Sequence, residues 1–82
     1  MTMAERMARA HHAKMRERIA TRVPFPSWEE LSDSTRNMQI ECARAVLDAM
    51  REPSVPMIAA AWGEPADVSH IWRTMIDAAL KD

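Results

Sequence analysis

The chain has 82 residues, a formal net charge of −1, one cysteine, one glycine and no tyrosine. That length fits a single domain, since domains run to roughly 50–250 residues, and a lone cysteine excludes a disulfide scaffold. No apolar run reaches bilayer length, and Arg6, Arg9, Lys14, Arg16 and Arg18 interrupt the apolar stretch a secretory leader needs, so a cytoplasmic location is expected.

Composition favours helix. Alanine, methionine, arginine and glutamate dominate, all strong helix formers, and no stretch alternates apolar and polar residues over strand length. The expected fold is all-α: a compact bundle of about four short helices with proline-marked connections, one domain over residues 1–82. Charge divides that domain. Residues 1–22 hold six basic side chains against two acidic ones, a surplus of +4, whereas residues 23–82 hold five against ten, a balance of −5. A basic N-terminal helix thus precedes an acidic helical core. Such a split suits either a basic arm for an anionic partner or a helix docked on the acidic remainder of the same chain or of a neighbour.

Thr2-Met3-Ala4-Glu5 reads as a capping box, the Thr2 hydroxyl accepting from the Glu5 amide and the Glu5 carboxylate from the Thr2 amide. It opens a helix to about Thr21, whose apolar line is Ala4, Ala8, His11 or His12, Met15, Ile19 and Val23. That line is thin, so the helix needs the rest of the domain or another subunit to hold it. Pro24-Phe25-Pro26 forms an extended corner, because each proline pushes its predecessor out of the α region, and Phe25 is its apolar anchor. Ser27-Trp28-Glu29-Glu30 reads as a second capping box on a short turn ending near Leu31.

Ser32 or Asp33 starts the main helix, which runs to about Arg51. Its buried face is expected at Thr35, Gln39, Cys42, Ala43, Val46, Leu47 and Met50, with Met38 and Ile40 flanking. Arg44 is placed to pair with Glu41 and Asp48 on the outer face. Pro53 stops this helix, and Ser54-Val55-Pro56 opens a third, because proline fits a first helical turn. It holds Met57 to Trp62 and ends on Gly63 as a left-handed cap. The last helix starts between Pro65 and Val68. Val68, Ile71, Trp72, Met75, Ala79 and Leu80 form its apolar face with Ile76 beside them, opposite Asp67, His70, Arg73, Asp77 and Lys81.

Few constellations here carry chemistry. His11 and His12 are adjacent and diverge by roughly 100° on a helix. No C-x-x-C, H-x-x-x-H or E-x-x-H spacing accompanies them, His70 or Cys42, so neither a metal site nor a cofactor is expected. Cys42 reads as a small core residue rather than a thiolate nucleophile. Ser27, Ser32 and Ser54 each have a capping role, and one glycine cannot build a phosphate-cradling loop. The chain therefore reads as a non-enzyme. What remains are surfaces: Arg6, Arg9, Lys14, Arg16 and Arg18 with His11 and His12 for anions, and Met3, Met7, Trp28 and Trp62 for a protein partner.

Trp28-x-x-Leu31, Arg36, the run Ala43-Arg44-Ala45-Val46-Leu47-Asp48-Ala49-Met50-Arg51-Glu52-Pro53, Met57 and Trp72-x-x-Met75-Ile76-Asp77-Ala78-Ala79-Leu80 form one pattern over residues 28–80. It resembles small accessory proteins encoded in phages and prophages of proteobacteria. The resemblance implies a bacterial cytoplasm and action by binding a host or defence factor, and it carries over no functional residue. The leading expectation is a homo-oligomeric interaction module that binds and modulates a host or phage protein. The alternatives are an oligomeric sponge for a nucleotide-like anion, with arginines on phosphate and a tryptophan on the base, and a nucleic-acid-binding regulator acting through the basic helix.

Overall fold

The computed structural model describes residues 1–20 and 22–81. Four α-helices, α1 (Met3–Ile19), α2 (Asp33–Ala49), α3 (Val55–Ala60) and α4 (Pro65–Lys81), are joined by short connections, with a 3-10 turn at Trp28–Glu30 between α1 and α2. No strand occurs among the described residues, and the protein is an all-α bundle. The basic helix α1 packs on α2 and α4 of its own chain, and α3 packs on α4.

Local chemistry sets the helix starts. The Thr2 hydroxyl accepts from the Glu5 amide at 3.0 Å, Ser32 from the Thr35 amide at 3.2 Å and Ser54 from the Met57 amide at 3.3 Å, each satisfying an amide that lacks an intrahelical partner. Glu5 does not complete the expected box; its carboxylate accepts from Arg9 at 3.1 Å instead. Ser27 makes no side-chain cap. The Glu30 amide that a cap would have taken already donates to the Ser27 carbonyl at 3.1 Å, the bond that closes the 3-10 turn. Helix α1 ends at Ile19, and Thr21, where its end was expected, lies outside the described residues.

The core is small: Ala4 and Ala8 of α1, Trp28, Ala43 and Leu47 of α2, and Ile76 of α4, with Met7, Leu31, Ile40, Trp72, Ala79 and Leu80 packed around them. Alanines on both α1 and α2 let the two backbones approach closely. Fully burying a residue such as Leu47 or Ile76 stabilises the fold by about 1.5–3 kcal/mol. The inward line of α2 runs through Ile40, Ala43 and Leu47, so Ala43 and Leu47 of the expected face are buried and the rest of that face is not. Cys42, Val46 and Met50 are exposed, because the small core reaches α2 only along Ile40, Ala43 and Leu47. On α4 the buried residue is Ile76, while Ile71 and Met75 are exposed.

Two further expectations are corrected. Arg44 does not pair along α2; its guanidinium donates to the Leu80 carbonyl at 2.6 Å, satisfying an acceptor in the last turn of α4. Helix α3 stops at Ala60, because Ala61 is already extended at φ −90° and ψ 153°. Gly63, at φ +130°, belongs to the bend that follows rather than to the helix cap.

The molecule measures 49 × 26 × 16 Å. Its radius of gyration of 16.1 Å exceeds the roughly 12 Å of a spherical domain of this length. Its accessible surface is 6237 Å², against about 5,000 Å² for a folded monomer of this mass. Much apolar surface therefore stays in contact with water.

Candidate functional site

An apolar concavity lies between α3 and α4. It encloses about 520 Å³, and Met57, Trp62, Val68, Ile71, Trp72 and Met75 form most of its wall; no charged or polar side chain lines it. Trp62 at its mouth is 100% exposed. Trp62 stands in the bend at Ala61-Trp62-Gly63 that follows α3.

The opposite wall is held firmly. The Trp72 indole N–H donates to the Met50 carbonyl at 2.6 Å, satisfying a free acceptor at the end of α2. Arg51 donates to both carboxylate oxygens of Asp77, at 2.9 and 3.1 Å. Arg73 does the same to Glu52, at 3.1 and 2.9 Å. These two-pronged pairs fix the register of α4 against the α2 terminus. The hydrogen bond from Arg73 holds the Glu52 carboxyl below its ordinary range, and its reciprocal raises Arg73.

The basic residues singled out in the sequence do not converge. Arg9 pairs with Glu5 at 3.1 Å, lies 3.9 Å from Glu29 and sits 5.3 Å over the Trp28 ring. Arg16 donates to the Phe25 carbonyl at 3.1 Å, and Lys14 pairs with Glu17 at 3.3 Å. Arg6 and Arg18 have no ion pair among the described residues. The cleft of about 580 Å³ between α1 and the 3-10 turn sets Arg9 and Arg16 beside Glu17 and Glu29. It offers a phosphate no surplus of positive charge.

Trp28, expected at an interface, is instead 7% exposed and part of the core. Its ring lies edge-on to His12, with centroids 5.9 Å apart. His12, 3% exposed, is a structural residue, whereas His11 and His70 are exposed. Among the described residues no three histidine, cysteine, aspartate or glutamate side chains are grouped to hold a metal ion. No helix among them is long and apolar enough to cross a membrane.

Reading the sequence alone placed Ile71 and Met75 against the core and did not place Met57 with them. The available signal was the width of the α4 apolar arc, from Val68 round to Ile76, which is broad enough to serve two neighbours. No family model matches the chain, and comparisons with curated proteins and with solved structures return no match.

Proposed function

We propose that the chain is a small non-enzymatic accessory module that acts by binding another protein, of the host or defence kind, and modulating it. The observation that supports this reading is the apolar α3–α4 groove with Trp62 wholly exposed at its mouth. An exposed tryptophan beside an uncharged concavity is what a binding hot spot needs: large apolar area and a pocket that excludes water. Methionines at Met57 and Met75 let the wall adapt to its ligand. An amphipathic helix laying apolar side chains into the groove is the partner geometry that fits.

The test compares the immobilised native chain with Ile71→Glu and Trp62→Ala in nuclease-treated bacterial lysate. A protein retained stoichiometrically by the native chain and lost with both variants supports the reading. Retention of the same proteins by all three, or only when nuclease is omitted, overturns it.

A further inference from the structure

A second groove, of about 330 Å³, follows the seam between α1 and α2. Met7, His11 and Met15 line it from α1 and Cys42 lines it from α2, and no carboxylate, lysine or arginine joins them. The three α1 residues are spaced four apart, so they stand one above the other on one face of the helix. The Cβ atoms of such neighbours are about 5–6 Å apart, a span that methionine, with three rotatable bonds, crosses. His11 and Cys42 are exposed, so an ion reaches them from solvent. Three sulfur atoms and one imidazole thus share a single concavity. Histidine and cysteine spacing along the chain does not reveal them, because two are thioethers and the thiol arrives on another helix.

We propose that Met7, His11, Met15 and Cys42 bind one soft monovalent cation, Cu(I). Softness is the first argument. Thiolate and thioether sulfur select Cu(I), whereas magnesium, calcium and manganese need the carboxylates that this groove does not hold. Charge is the second. One thiolate cancels the charge of a monovalent ion, so the filled site is neutral against its uncharged wall. A divalent ion would leave one positive charge uncompensated there. His11 supplies a ring-nitrogen lone pair at the centre of the α1 line, with Met7 one turn before it and Met15 one turn after. On binding, the Cys42 S–H proton passes to water as the Cu–S bond forms, and no electron is transferred. The α3–α4 groove holds none of these four residues, so the metal site and the binding of another protein stand or fall independently.

Cu(I), added under argon as its acetonitrile complex to the full chain, tests the site in competition with a chromogenic Cu(I) chelator. The native chain should hold one ion per chain. His11→Ala, Met7→Leu and Met15→Leu should each weaken binding about tenfold or more, and Cys42→Ser should abolish it. Met50→Leu, outside the groove, should change nothing, and circular dichroism confirms helix in every variant. The native chain supplies a readout without mutation: carbon NMR of the methionine methyl groups should show Met7 and Met15 shifting on addition of the ion, with Met38, Met57 and Met75 unmoved. Equal affinity in the native chain and the histidine and methionine variants would mean a bare thiol, and one ion per two chains would mean a thiol bridge. Either result, or Met7 and Met15 methyl signals that ignore the ion, overturns the proposal.

Discussion

The ring of His12 is bonded to the backbone of Pro26: Nε2 donates to the Pro26 carbonyl oxygen at 2.8 Å. Because a carbonyl can only accept, the proton is on Nε2, and Nδ1 faces the Gln39 amide at a long 3.5 Å. The same ring lies 5.0 Å from Phe25 and edge-on to Trp28. One imidazole thus joins α1 to the proline corner, the 3-10 turn and α2.

Replacing that ring should be felt globally. His12→Ala removes a buried hydrogen bond and two aromatic contacts and leaves a cavity, a loss of about 3 kcal/mol. His11→Ala, one residue away on the exposed side, should stay within about 0.5 kcal/mol. Urea denaturation of the two variants side by side measures the difference.

Trp28 separates volume from polarity. Its indole nitrogen is buried with no hydrogen-bond partner among the described residues. Trp28→Phe gives up volume but also removes an unsatisfied donor, whereas Trp28→Ala should cost about 3–5 kcal/mol. The expected order in a thermal melt is native and Phe close together, with Ala far below or unfolded. Equal losses for Phe and Ala would mean that the indole nitrogen is satisfied by water.

Gly63 tests backbone strain alone. A Cβ built there meets only Val68 Cγ2 at 3.7 Å, an ordinary contact, yet φ is +130°. Gly63→Ala should therefore cost about 1–3 kcal/mol through the backbone and not through a clash. If Val68→Ala rescued the Gly63→Ala chain, crowding and not strain would be the cause.

The Glu52–Arg73 pair gives a pH dependence of known sign. The folded-state carboxyl of Glu52 is lowered by its bond to Arg73, so its contribution is fully present above the ordinary glutamate range. It is lost as pH falls through the lowered folded value. Carbon-detected titration should place Glu52 below the ordinary glutamate range, and Arg73→Gln should return it to that range. Both partners reach solvent, so the melting temperature near neutral pH should change little.

What was legible in the sequence was the chemistry that acts within one turn. Thr2, Ser32 and Ser54 cap because a hydroxyl three residues ahead of an amide needs nothing else, and Pro53 and Pro65 mark breaks for reasons contained in their own rings. Tertiary placement was not legible. Whether Val46 or Ile40 points inward on α2 depends on where the small core reaches that helix. Arg44 shows the same limit: helical spacing offers it Glu41 and Asp48, while the fold brings the Leu80 carbonyl within reach. The α3–α4 groove was missed because the two sides of one wide apolar arc cannot be assigned to core and surface without knowing which neighbour arrives.

A body 16 Å thick has scarcely any interior distinct from its surface. Side chains that line the two grooves also buttress the few buried ones, so Met7 and Trp72 belong to both populations at once. Affinity and folding should consequently drift in step across any set of variants, and selection for tighter binding would recover changes that also raise the melting temperature. A partner, in turn, would act on this chain much as added core acts on a larger protein.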